Sequence, residues 1–253
     1  MSKASVAARR PTSGSGLRRY LAMPAFLVAV CVALSLFLSN RELDNIESQR
    51  LNAEYIADSV VRHLYLVAVS TVLVILIAIP LGILLTRPFA RRLIPILVTI
   101  ANTGQAIPSV GVIILLGLTL GFGPRYAIAA LVLYAFLPVL RNTMVGLQQV
   151  DAAVIEAGRG MGMSKRAVLA RIELPLAVPV VLAGVRTALV INVGTAAIAT
   201  LTAAGGLGDI IYQGLITSRT VVIVAGGIMT AVLALLVDYV AGIAEELLRP
   251  RGL

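Results

Sequence analysis

The sequence predicts an all-α, polytopic membrane protein with about six transmembrane helices, and three observations carry that prediction. Apolar runs of about 18 residues or more without a charge recur along the chain, the length that crosses a ~30 Å hydrocarbon core. Charged residues make up 13% of the 253 residues and hydrophobic ones 59%. That is about half the charge of an ordinary soluble domain, which excludes a water-soluble enzyme. The 21 Lys and Arg outnumber the 12 Asp and Glu, for a net charge of +9, and this surplus sits between the apolar runs, where membrane topology would place it.

Residues 1–20 carry Lys3, Arg9, Arg10, Arg18 and Arg19 around a Thr-Ser-Gly-Ser-Gly run and read as a disordered basic tail. Residues 21–38 are uncharged and read as a retained first span. No small-x-small cleavage pattern follows them, and Val30 before Cys31 is too large for a lipoprotein cleavage site. The Arg18-Arg19 pair is read as a product of positive-inside topology, not as a twin-arginine signal. Residues 39–63 hold five acids and three arginines and form a solvated extracytoplasmic loop, in part helical. Residues 64–85 are the second span, and a basic turn with Arg87, Pro88, Arg91 and Arg92 follows.

Residues 93–124 carry no charge, and as one helix they would exceed ~45 Å against a ~30 Å core. Pro108 removes a backbone donor within this stretch, so the third span is expected to kink or break there. Asn102, Thr103, Gln105 and Ser109 flank the break. Unwound backbone at membrane depth survives only against protein or a water-filled cavity, which makes Asn102, Gln105, Pro108 and Ser109 candidates for the wall of a translocation path. The alternative is that these groups satisfy one another across packed helices.

The fourth span covers residues 126–140 and ends at Arg141, the fifth covers 176–201, and the sixth covers 220–237. Asn192 and Thr195, beside Gly194, are further neutral candidates for the path. Arg186 lies inside the fifth span, where a central arginine costs about 2.5–3.5 kcal/mol on insertion scales. It should therefore pair, contact backbone carbonyls or snorkel, in a structural role. Asp238, at the end of the sixth span, should pair with a basic group.

An even number of spans puts both termini on one side. With the tail, the Arg87–Arg92 turn, the 141–171 loop and the C-terminus together, that side holds 15 of the 21 Lys and Arg and the opposite side five. Both termini are then cytoplasmic. Residue counts remove other classes. A lone cysteine, Cys31, and a lone histidine, His63, cannot build a disulfide framework or a Cys/His metal site within the chain. Neither Lys3 nor Lys165 has P-loop spacing, and the basic residues form no single nucleic-acid stripe with interleaved aromatics. No metal site, cofactor or nucleic-acid partner is expected in this chain.

Residues 151–175 carry the most information. Asp151 can cap a short helix, glycines at 158, 160 and 162 limit its length, and Gly162 would stop it. Ser164 can cap a second helix running through Val168, Leu169 and Ile172 until Pro175 interrupts it. Glu156-Ala157-Gly158, then three residues, Gly162, nine residues and Ile172-Glu173-Leu174-Pro175 resemble the EAA loop of ABC-importer permeases. That pattern is Glu-Ala-Ala, three residues, Gly, nine residues and Ile-x-Leu-Pro. Gly158 in place of the second alanine is the one departure; it keeps close approach possible and loosens the helix.

The resemblance covers residues 64–250, the permease core, and implies the MetI-like permease fold. Gln105-Ala-Ile-Pro-Ser109, the run from Leu133 to Thr143 and Ala203-Ala-Gly-Gly-Leu-Gly-Asp209 are similar to the osmoprotectant branch, whose members import glycine betaine, carnitine or choline. Methionine, sulfonate and nitrate importers share much of this pattern and stay open as alternatives. The resemblance implies a transport subunit, not an enzyme, in the plasma (inner) membrane of a prokaryote. It further implies ABC ATPase subunits that bind ATP and Mg, a second permease copy or paralogue, and an extracytoplasmic substrate-binding protein. Glu156, Ala157, Gly158, Gly162, Ile172, Leu174 and Pro175 would form the coupling surface and its support. An ion-coupled secondary transporter is the main rival. It would show a central intramembrane carboxylate or repeated halves, and the sequence shows neither. A membrane enzyme would need a nucleophile-base or metal constellation, also missing.

Overall fold

The structure is a computed structural model that describes residues 14–248, with side chains from Tyr20 onward except those of Arg91, Leu97, Ala101, Gly104 and Gln105. Most of the expected tail and the C-terminal Arg249 and Arg251 lie outside the described residues. The described chain is helical throughout, without a strand, and divides into residues Met1–Glu42 and Leu43–Leu253.

The first unit is one helix, α1 (Gly14–Ser39), with Pro24 inside it. It begins within the stretch expected to be tail. Arg41 closes it by stacking its guanidinium 5.2 Å from the centre of the Phe37 ring.

In the second unit, most of the expected outer loop is helix. Asp44 and Glu47 form a reciprocal capping box on α2 (Asn45–Arg50), which satisfies two otherwise orphan donors. Asn52 then caps α3 (Ala53–Leu85) by accepting from the Tyr55 amide. At 33 residues α3 is ~50 Å long, well beyond a ~30 Å core, so its polar first turns project past the hydrocarbon. The second span therefore starts inside the sequence assigned to the loop.

After a 3₁₀ turn, Pro88–Leu93, the expected third span is two helices, α4 (Ile94–Ala106) and α5 (Ser109–Leu120). Ile107 and Pro108 between them are extended, with ψ 132° at both. The break falls at the proline because it lacks the amide a helix needs and pushes the residue before it out of the helical region. The chain reverses through Gly121 and Gly123, at φ 127° and 123°, conformations that favour glycine.

α6 (Pro124–Gln148) then runs through Arg141 instead of ending there; the arginine finds a polar partner, and its helix continues to the start of the 151–175 loop. That loop holds α7 (Ala152–Gly160) and α8 (Lys165–Val168). A π-turn, Leu169–Glu173, leads without a stop into α9 (Leu174–Ala196). Pro175, expected to interrupt, lies at the start of α9. The wider π-turn absorbs its missing donor, with the Leu174 amide bonding the Leu169 carbonyl five residues back. α9 also stops short of the expected end at 201 and passes into a 3₁₀ turn, Ile198–Thr202. α10 (Leu207–Ile216) occupies what was expected to be the last outer connection, and α11 (Thr220–Leu248) completes the unit.

Among the described residues five helices are long and apolar enough to cross a membrane, α8 and α9 counting as one; the α4–α5 pair takes the place of the expected third span. α6 packs between α3 and α9, and α11 covers α9 and α10. One buried cluster includes Leu66, Leu131 and Val193, a second Val74, Val139, Leu140 and Ala188. In lipid, helices associate by close packing because the surrounding solvent is equally apolar. Small residues provide that approach on both sides of α6: Gly82 of α3 against Thr143, and Gly184 of α9 against Asn142.

The tightest approach is at Gly208, where an added Cβ would lie 1.8 Å from the Ala197 carbonyl oxygen. Backbone cannot yield as a side-chain tip can. Gly208→Ala should therefore destabilise the purified chain by about 1–3 kcal/mol or more, whereas Gly227→Ala, with nothing within 4 Å of the new Cβ, should be neutral or stabilising. Thermal unfolding in detergent compares the two, and equal melting points would refute the packing argument.

Candidate coupling loop and membrane path

The loop is built by local capping. The Asp151 carboxylate accepts from the Ala153 amide at 2.8 Å, and the Ser164 hydroxyl accepts from the Ala167 amide at 3.3 Å. Met161 ends α7, and Gly162 turns the chain at φ +86°, a region where a side chain is strained. The Met163 amide then bonds the Gly158 carbonyl at 3.2 Å. Both expected caps and the expected glycine turn are present.

Of the residues the sequence singles out, Glu156, Ala157 and Gly162 are exposed, while Gly158 is buried. A Cβ on Gly158 would meet Ile172 Cδ1 at 2.6 Å. The departure from alanine thus lets Ile172 sit directly against the α7 backbone, with Val168 and Met163 beside it. Ile172, Leu174 and Pro175 are half-buried and support the loop from behind. In front, Val154, Glu156, Ala157 and Met161 form an exposed face, with Met161 75% accessible. A cleft of about 350 Å³, lined by Gly146, Val150, Asp151, Val154 and Leu176, separates the start of α7 from the ends of α6 and α9.

Glu173, the variable position of the Ile-x-Leu-Pro end, is buried at 7% exposure. Arg87 Nη2 donates to its Oε2 at 2.7 Å, and Arg87 Nη1 lies 3.5 Å from Oε1. Arg87 is itself fixed to the end of α3, donating to Thr86 Oγ1 at 2.9 Å and to the Ile83 carbonyl at 3.2 Å.

The candidate path residues fall into two separate sets. Asn102 is exposed, and its Oδ1 accepts from Arg141 at 2.7 Å, tying α4 to α6. The Tyr134 hydroxyl donates to the Ile107 carbonyl, which the break leaves without a helical partner. Pro108 is exposed and Ser109 half-buried; the Gln105 side chain lies outside the described side chains. Asn192 and Thr195 are instead buried in the bundle. Asn192 donates to Thr71 Oγ1 of α3 at 3.0 Å, and its buried Oδ1 has no partner among the described residues, leaving it able to accept a hydrogen bond.

Arg186 does pair, as one of its expected options. Its guanidinium bonds both oxygens of Asp238 at 2.6 and 2.8 Å and approaches Glu245 at 3.5 Å. The bidentate contact places the arginine on α11 and satisfies the basic partner expected for Asp238. At the other end, His63 is fully buried, its Nε2 bonding the Val193 carbonyl at 3.0 Å and its Nδ1 accepting from the Leu207 amide at 3.3 Å. Tyr55 donates to Asp209, whose other oxygen accepts from Thr200 at 3.2 Å. These bonds fasten the Ala203–Asp209 motif and α10 to α3 and α9. Sequence reading placed His63 in a loop; the only available signal was the polar residues scattered through 55–63 at helical spacing. Among the described residues no group of His, Cys, Asp or Glu could hold a metal ion.

Five membrane-length helices with an exposed, independently capped loop between two of them have the form of a polytopic membrane transport subunit. The family described as "Binding-protein-dependent transport system inner membrane component" matches residues 78–251, and the chain belongs to it. It is a permease, a transport subunit. The chain is 43% identical over 206 residues to the carnitine transport permease protein OpuCD of Listeria monocytogenes serotype 1/2a (strain 10403S), covering 81% of this chain and 92% of that one. It is 42% identical over 200 residues to the glycine betaine/carnitine/choline transport system permease protein OpuCD of Bacillus subtilis (strain 168), covering 79% and 86%. Among solved structures, an inward-facing form of the MetNI methionine ABC transporter matches with a TM-score of 0.68 at 25% identity, covering 77% of this chain and 96% of that one.

The packing of Ile172 on Gly158 predicts that Gly158→Val lifts α7 off its support. ATP-driven uptake should fall at least tenfold, about 1.4 kcal/mol of lost coupling, at unchanged membrane abundance. Uptake assays with immunoblotting check this, and wild-type uptake would refute the supporting role.

Proposed function

We propose that this chain is the permease subunit of an ATP-driven importer for osmoprotectants such as glycine betaine, carnitine or choline. The observation that carries the reading is the 151–175 loop, an EAA-type unit with one departure at Gly158, whose face stays exposed among the described residues. The substrate class is supported by the names of the relatives, which match over most of their own lengths. Selectivity is assigned to an extracytoplasmic binding protein that delivers the solute. A second permease, a copy or a paralogue, completes the pore.

ATP and Mg bind to a separate ATPase subunit, whose groove receives α7. Glu156 makes a polar contact there, Ala157 permits close packing, and Gly162 sets the turn that presents both. Alternating access follows because a ligand or partner shifts a conformational equilibrium only by its unequal affinity for two states. Here the nucleotide-dependent shape of the ATPase supplies the inequality, and the loop communicates it. Asn102, Gln105, Pro108 and Ser109 are proposed for one wall of the path, Asn192 and Thr195 for an inner polar point. The positive-inside charge bias supports cytoplasmic termini and a cytoplasmic loop in a prokaryotic inner membrane.

In proteoliposomes holding the complex, ATP hydrolysis should require the ATPase subunit and rise when binding protein loaded with a quaternary ammonium solute is added. Glu156→Lys and Gly162→Trp should abolish uptake while the chain still inserts; normal transport in both would sink the coupling assignment. Orientation is checked in cells expressing the chain alone on a Cys31→Ser background. An impermeant thiol reagent should label Asn45→Cys and not Lys165→Cys, and the reverse pattern would invert the topology.

A further inference from the structure

We infer that Arg87 and Glu173 are positioning residues that carry movement of the coupling loop into α3, beside the covalent routes into α6 and α9. This rests on the reading of residues 151–175 as the surface met by the ATPase.

The geometry leaves the loop few ways to act on the membrane helices. α7 follows α6 after residues 149–151 and packs on α8 and the π-turn. Displacement of α7 therefore reaches the bundle through the end of α6 and through the π-turn. That turn is continuous with α9, which gives one route. It also carries Glu173, the one buried carboxylate among the described residues, and this gives another.

Glu173 meets Arg87 from a point 86 residues away in sequence, at the inner end of α3. The guanidinium is not a free tether. Its bonds to the Ile83 carbonyl and Thr86 Oγ1 fix it to the last turn of α3, so it cannot follow Glu173 without taking that turn along. Separating the pair would leave a buried, uncompensated charge, so moving together is the less costly response. The position also matters: π-turns within helices collect at functional sites, where a locally wider helix can shift register. Cohesion between α3 and α6 at this end is already provided by the close approach of Gly82 to Thr143, so the ion pair adds a link specifically between α3 and the π-turn.

The test uses the complete complex of permeases, ATPase and binding protein in proteoliposomes, measuring initial uptake and ATP hydrolysis together. Glu173→Gln and Arg87→Gln should retain stimulated hydrolysis while solute moved per ATP falls about fivefold or more. The charge reversal, Arg87→Glu with Glu173→Arg, should recover that ratio. An unchanged ratio in Glu173→Gln, or hydrolysis lost in step with uptake, would overturn the proposal, because either makes the pair structural. If these variants do not assemble, Glu173→Asp retains the charge and shortens its reach, and the same fall in ratio is required. Glu156→Lys run in parallel separates the two readings. Full activity in that variant defeats the coupling-loop assignment itself, whereas its inactivity together with a normal ratio in Glu173→Gln defeats only the role of the pair.

Discussion

A bilayer offers no hydrogen-bond partner to a broken backbone or a charge, and each irregularity of this bundle follows from that constraint. Where the chain leaves regular helix or carries a charge into the spans, another group of the bundle answers it. Tyr134 of α6 takes the Ile107 carbonyl that the Pro108 break exposes. Asp238 and Glu245 of α11 receive Arg186. The π-turn before Pro175 keeps a donor on the Leu169 carbonyl, so a proline that would end a helix in water is carried through.

The same constraint sorts the bundle into a close-packed centre and two polar ends. α6 lies in the centre, approached on either side through Gly82 and Gly184. At one end His63 and Tyr55 bind α10 to α3, and Thr200 binds it to the 3₁₀ turn after α9. A neutral imidazole suits this position because it donates at one nitrogen and accepts at the other, satisfying both Val193 and Leu207 without bringing a charge inside. At the other end the 151–175 loop is held by its own caps and by Arg87 on Glu173.

Much of this was legible in the sequence because it is local. Uncharged runs mark most of the spans, Asp151 and Ser164 mark the caps, and Pro108 marks the break, each through chemistry acting within one or two helical turns. Contacts closing over long separations were not legible. Arg87–Glu173, Arg186–Asp238 and His63–Leu207 span 86, 52 and 144 residues, and a single sequence names the charges without naming their partners. Local rules also misplaced some boundaries. Pro175 read as a stop because the rule assumes regular α-geometry, Arg141 read as a span end because its partner Asn102 belongs to another helix, and the start of α3 read as a loop because its charged residues Glu54, Asp58 and Arg62 are exposed while the partners of Tyr55 and His63 lie far along the chain.

The spacing of the coupling motif acquires a physical meaning from Gly158 and Ile172. The fixed interval between the first residues of the motif and its Ile-x-Leu-Pro end is a closure condition. α7 must turn at Gly162, and the Ser164 cap must start α8 in the correct phase. The π-turn must then bring Ile172 back onto the α7 backbone, where Gly158 leaves room for it. One residue more or fewer would rotate Ile172 by about 100° around its helix and remove the support under α7. The motif thus specifies a folded unit before it specifies a contact. Its exposed face can serve a partner because its hidden face is closed on itself, and the replacement of alanine by glycine tightens that closure.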